Sequence, residues 1–311
     1  MDKIDFLKKI DLKSAIRQIS MQDWPLSTLY VVATPIGNLA DISFRAIYSL
    51  SMVDLIAAED TRVSYHLLGF YGIENKLISA HRHNELEASD KICEFLRSGK
   101  RVALISDAGT PGISDPGSKI ILKVRSSGYR VIPIPGASSV TTALMASGVT
   151  TDENPAYVFA GFVPSKQSQR FLWFKEWSDK TFPVIMLESS HRIMSSLEDL
   201  RKTCGNDRFL TIAKELTKKF EKIDTISLGE VSMLKSCNSH YFKGEFVLIL
   251  HGKESKVLET FKSVNIDSFI NVLLDSMPLS ESVRVVSKTT GMSRKFLYNR
   301  AIMIKNKDIL L

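Results

Sequence analysis

The sequence predicts an α/β protein of two α/β domains followed by a small C-terminal helical appendage. From Leu29 onward, short apolar runs alternate five times with polar loops and helix-patterned stretches, the plan of a parallel sheet. A second alternation runs from Tyr157 to about Gly252, and beyond Val257 the pattern is helical alone. With 311 residues the chain is long enough for two sizeable cores.

Residues 1–26 read as a leader, with Ile4, Leu7, Ile10 and Leu12 spaced for one short amphipathic helix and Pro25 closing the segment. The first domain, 27–150, is expected to hold strands at 29–33, 53–58, 76–80, 102–105 and 131–134. A helix is expected from Asp41, whose carboxylate suits an N-cap, and Gly99 is placed to end another. Residues 150–155 read as a linker into the second domain, 151–254, with strands expected at 157–161, 183–187, 209–213 and 245–250. In the appendage, 255–311, helical patterns at 269–274, 280–286 and 296–304, with Ser293 as an N-cap, resemble a helix-turn-helix.

The composition is that of a soluble globular protein, 44% hydrophobic and 24% charged. No apolar run reaches membrane-spanning length, and the charged start lacks a signal-peptide core, so the expected location is the cytoplasm, with no membrane partner. Cys93, Cys204 and Cys237 are odd in number and unclustered, which speaks against a disulfide framework or a zinc site. His81 and His83 lack companion ligands, so no metal is expected. Lys and Arg exceed Asp and Glu by 41 to 34, a net charge of +7 that favours a polyanionic partner.

Five strand ends of the first domain carry the unusual loops: 34–38, 59–62, 81–85, 106–117 and 135–139. In a parallel sheet these ends share one edge, where open α/β sheets bind ligands. The stretch from Ser106 to Gly117 is the most informative, because three glycines and two prolines in twelve residues exclude ordinary helix or strand and make a shaped loop. Neither a G-x-G-x-x-G after the first strand nor a Walker loop is present, so the usual dinucleotide and phosphate cradles are absent.

The segments LYVVATPIGNLADISFRA (29–46), AAEDTR (57–62), SAHRHNE (79–85), ALISDAGTPGISDPG (103–117) and PIPGASSVTTALMASG (133–148) together resemble the ribosomal RNA small subunit methyltransferase I family, of the tetrapyrrole methylase superfamily. GFVPSK (161–166), ESSHRI (188–193), KELTKKFE (214–221) and KGEF (243–246) continue the likeness in order. The resemblance implies two α/β domains of tetrapyrrole methylase type with S-adenosylmethionine in the cleft between them, usually in a homodimer. It also implies methylation of the ribose 2′-oxygen of a decoding-region cytidine in 16S rRNA, with the 30S subunit as partner. Carried onto this chain, it places Pro35, Ile36, Asp107, Gly109, Thr110, Ser138, Ser139 and Ala213 around the cofactor. Lys214 stands where the family usually has Arg, which keeps the charge but loses the bidentate fork.

A ribose hydroxyl is weakly acidic, and a group within hydrogen-bond reach that takes its proton should assist transfer. Glu59, Asp60 and Glu188 are the leading candidates, with His83, Glu85, His191 and Lys214 also open. Arg62, Arg82, His83, Arg192, Lys214, Lys218 and Lys243 are the candidates for RNA contact, chiefly through phosphate. Two rival readings are a corrin or porphyrin C-methyltransferase and a non-catalytic RNA-binding assembly protein. The basic balance and the helical tail argue against the first, and cofactor binding decides the second.

Overall fold

The computed structural model describes residues 11–234, 242–253, 266–290 and 292–307. After α1 (Leu12–Ser20), the first sheet takes β1 (Thr28–Val32), β2 (Leu55–Ala58), β3 (Leu77–Ser79), β4 (Arg101–Ile105) and β5 (Arg130–Ile134) in the order β3-β2-β4-β1-β5, all parallel. The strands are connected through α2 (Phe44–Met52), α3 (Thr61–Phe70), α4 (Glu85–Arg97) and α5 (Ser118–Ser126). Successive strand side chains point to opposite faces, so nearly continuous apolar strands need cover on both. Leu29, Val31, Val102 and Leu104 pack with Ile92 and Leu96 of α4 and Ile120 and Val124 of α5. Tyr30, Val32, Ala103 and Ile105 meet Ala46 and Leu50 of α2 and Leu68 of α3 on the other side.

The second sheet orders β6 (Val158–Phe162), β7 (Val184–Ser189), β8 (Phe209–Lys214), β9 (Lys222–Ser227) and β10 (Glu245–Leu250) as β6-β7-β10-β8-β9. Only β6 and β7 run parallel; the remaining pairs are antiparallel. One face is covered by α7 (Gln167–Ser178) and α8 (Ile193–Cys204), through Phe174, Leu197 and Leu200. The other receives α6 (Ser139–Ser147), which follows β5 of the first sheet and packs Val140 and Ala143 against Ile185, Val247 and Ile249. This one helix therefore joins the two sheets and holds their edges together.

Past the short α9 (Val231–Leu234), helices α10 (Ile266–Leu274), α11 (Leu279–Thr290) and α12 (Arg294–Lys307) enclose a separate core of Ile270, Val283, Val286, Leu297 and Ala301. Ser293 Oγ accepts from Phe296 N at 3.2 Å, capping α12 as expected. Among the described residues no helix is long and apolar enough to cross a membrane.

The sequence expectation fails at two elements. Asp41 is not an N-cap: it ends a single 3-10 turn, Leu39–Asp41, capped by Asn38, and Ser43 caps α2 by accepting from Ala46 N. The helix expected on Ile4, Leu7, Ile10 and Leu12 lies outside the described residues except for Leu12, which begins α1, where Asp11 accepts from Ser14 N. Strand β9 was not expected, because Lys222 and Asp224 break its apolar alternation, as is common at a sheet edge.

Candidate functional site

The loops after β1, β4 and β5 are stitched together at the carboxyl edge of the first sheet. Thr34 N donates to Gly109 O at 2.8 Å, Gly109 N returns the bond to Thr34 O at 3.1 Å, and Thr110 Oγ1 donates to Ala137 O at 3.2 Å. Gly109 is required by its backbone: φ is +79°, and an added Cβ would lie 3.3 Å from Ile36 Cγ2. Gly136 allows the third loop to approach Ala33, where a Cβ would sit 3.0 Å from its methyl.

These loops face the ends of β6, β7, β8 and β10 across a cavity of about 270 Å³, near the lower end for small-molecule sites. From the first sheet come Ile36, Gly109, Thr110, Ile113, Ser114, Asp115, Ser138 and Ser139; from the second come Phe162, Leu187, Glu188, Ala213, Leu216 and Glu245. Among the described residues its lining holds three carboxylates, Asp115, Glu188 and Glu245, and neither Lys nor Arg; Glu188 and Glu245 are paired with Arg192 and Lys218 from outside the wall, and no ion pair is formed by Asp115 among the described residues. Such a wall favours a ligand with positive charge and a substantial apolar surface.

Six of the eight residues expected around the cofactor line this cavity: Ile36, Gly109, Thr110, Ser138, Ser139 and Ala213. Pro35 and Asp107 do not. Asp107 sits behind the wall, where its carboxylate accepts from Asp60 N at 2.9 Å and its own N–H donates to Glu59 Oε2 at 3.3 Å. Burial raises the pKa of both Glu59 and Asp107. Asp60 departs the other way: its hydrogen bonds from Arg62 hold it down to about 2, so it is a poor proton acceptor. Glu188 lines the cavity, but it accepts from Ser189 N at 2.7 Å and from Ser196 Oγ, and pairs with Arg192 at 2.7 Å. It is a buried, fully engaged carboxylate rather than a free base. Glu85 is likewise committed, accepting from Gly117 N at 2.9 Å and pairing with Lys119.

The cations expected on RNA divide sharply. Lys214 is buried at the end of β8. Arg62 pairs with Asp60, Arg192 with Glu188, and Lys218 with both Glu215 and Glu245. Arg82, His83 and Lys243 are exposed. His191 is exposed and off the cavity wall. The His81 and His83 rings lie 6.0 Å apart, and no group of metal-ligating side chains occurs among the described residues.

Among the wall residues that escaped the sequence reading, Asp115 and Phe162 bear on the chemistry. Asp115 belongs to the glycine-rich loop but was not singled out; burial, followed by the nearby Glu59 and Asp107 charges, pushes its carboxyl up to about 6. The signal available was an acid inside a strained turn, for Ser114 beside it has φ +65°. Phe162 ends β6 beyond a register shift between Phe159 and Gly161, where Gly161 has φ +83°. That bulge re-aims the ring toward the cavity, and strand periodicity carries no sign of it.

The model of the Tetrapyrrole (Corrin/Porphyrin) Methylases family matches residues 28–232. The Ribosomal RNA small subunit methyltransferase I of Neisseria meningitidis serogroup B is 41% identical over 280 residues, covering 90% of this chain and 94% of the relative. The protein of the same name from Pseudomonas aeruginosa is 38% identical over 90% of this chain and 99% of its own. Among solved structures, a cobalt precorrin-4 methyltransferase matches with a TM-score of 0.56 at 14% identity, covering 72% of this chain and 95% of that one. A uroporphyrin-III C-methyltransferase from Thermus thermophilus, complexed with S-adenosyl homocysteine, matches at 0.50 and 15%, covering 72% and 97%. The two structures speak for the fold alone.

Proposed function

Because the chain belongs to the ribosomal RNA small subunit methyltransferase I family, within the tetrapyrrole methylases, we propose that it methylates a ribose 2′-oxygen of a decoding-region cytidine in 16S rRNA, using S-adenosylmethionine. The observation that carries this reading is the cavity between the two sheets, whose largely apolar wall bears the Asp115 carboxylate and, among the described residues, no Lys or Arg, which suits a sulfonium compound. When bound, S-adenosylmethionine supplies an electrophilic methyl group on a positively charged sulfur.

In this reading the Gly109–Thr110 turn and the Ser138–Ser139 helix start hold the cofactor from one side, with Ile36 and Ala213 closing apolar contacts. Phe162 offers a ring at the same wall for a flat, unpaired base. Displacement at carbon is in line, so alignment of the ribose oxygen with the methyl group is the main task of the protein. On the same wall the Asp115 carboxylate would take the proton of the ribose hydroxyl that accepts the methyl group. Glu59, Asp60 and Asp107 form the layer behind, setting the position of the loop and the charge that Asp115 feels. Arg82 and Lys243, exposed and cationic, are the expected phosphate contacts near the cleft.

The reading is tested by incubating the protein with labelled S-adenosylmethionine and 30S subunits from cells lacking this gene, with a precorrin in a parallel arm. The expected result is label in 16S rRNA at a single alkali-resistant ribose. Label in the precorrin alone, or none in either arm, would overturn it.

A further inference from the structure

The cations that the sequence suggested for RNA contact are mostly tied up or buried around the cleft, while the helical appendage carries a different set. Residues 266–307 include seven Lys and Arg against three Asp and Glu. Two of those acids already have partners, Asp267 with Arg300 and Glu281 with Arg284. Helix α12 has no acid at all, and its inner face is used up: Leu297 and Ala301, four residues apart, are fully buried in the appendage core.

The outer face of α12 has a distinct composition. Lys295, Tyr298, Ile302 and Lys305 follow one another at i, i+3, i+7 and i+10 along one side, all exposed. Phe296 and Met303 lie on the neighbouring flank, 53% and 62% exposed. Solvated charge alone would not place an exposed aromatic ring between the two lysines. An ammonium group at each end with the Tyr298 ring and Ile302 between them matches a strand that offers phosphates and an unstacked base together.

We propose that the outer face of α12 is a second RNA-docking surface, binding an irregular or single-stranded segment of ribosomal RNA through Lys295 and Lys305 on phosphate and Tyr298 stacked on a base. The proposal rests on the rRNA reading above and adds to it a contact outside the cleft. The appendage has its own core, so this surface works as an anchor that holds the substrate while the cleft acts on one nucleotide.

The test uses the full chain carrying Lys295→Ala, Tyr298→Ala and Lys305→Ala together, exposed positions whose loss leaves the appendage core intact. Binding to 30S subunits and to a 16S rRNA fragment is measured across KCl concentrations, beside S-adenosylmethionine affinity by calorimetry and methyl-transfer kinetics. The expected result is about a tenfold loss in affinity and a matching rise in KM for subunits. The slope of log K against log salt becomes shallower by about 1.4, two single-strand phosphate contacts. Cofactor affinity and kcat at saturating subunits stay unchanged. Unchanged RNA affinity and salt slope would overturn the docking surface while leaving the methyltransferase reading standing. So would a triple variant that loses binding to anionic phosphatidylserine vesicles but not to RNA. Wild-type protein that binds RNA through α12 yet methylates nothing would overturn the catalytic reading instead.

Discussion

Asp115 is where the chemistry and the stability of this protein pull against each other. Its carboxyl titrates at about 6 in the folded chain, up from an ordinary 3.8, because burial and the neighbouring acids disfavour its charge. A raised acid pKa stabilises the fold fully below the unfolded value and loses that contribution as pH rises through the folded one. Asp115→Asn is therefore expected to raise Tm at pH 8, with the gain shrinking between about pH 6 and pH 4, as thermal unfolding across pH would show. The same variant should lose about a hundredfold or more in kcat, and wild-type activity should fall on the acid side with a midpoint near 6. A variant with full activity at pH 8 would remove Asp115 from the reaction. At this scale the glycines and prolines of residues 106–117 announced a shaped loop, while Gly109 and Thr110 were singled out through the family resemblance. Asp115 and Phe162 were not, because a positive φ at Ser114 and a bulge at Gly161 aim them, and neither leaves a periodic trace.

Among the elements, α7 and α8 are joined by a buried ion pair that also fixes the loop entering the cleft. Arg170 donates to Asp199 at 2.9 and 2.5 Å, both side chains being at most 4% exposed, and its remaining guanidinium nitrogen donates to Pro164 O and Ser165 O. Asp199→Ala strands a buried guanidinium and is expected to cost about 3–5 kcal/mol in urea unfolding. A loss below about 1 kcal/mol would mean that water reaches Arg170. The central strands β1, β2 and β4 of the first sheet were easy to read, since they are apolar on both faces. Edge strand β9 was hidden by the charges that keep such edges from pairing further. The Asp41 cap failed because two capping residues, Asn38 and Ser43, lie within three residues of it and take the hydrogen bonds.

The molecule as a whole is organised by one consequence of parallel topology: the carboxyl ends of β4, β1 and β5 present three loops together, and α6 carries the last of them across to the second sheet. Parallel direction in the first sheet follows from the sequence pattern, but its strand order, the antiparallel second sheet and the cleft need the three-dimensional register. Family likeness over 90% of the chain supplies a reaction, and the cavity supplies a place for it. The claim that joins these two is location, and a crystal structure of the protein with S-adenosylhomocysteine diffused in tests it most directly. The account predicts density between the Gly109–Thr110 turn and Ala213, with the sulfur open toward Asp115; density anywhere outside this cleft would contradict it.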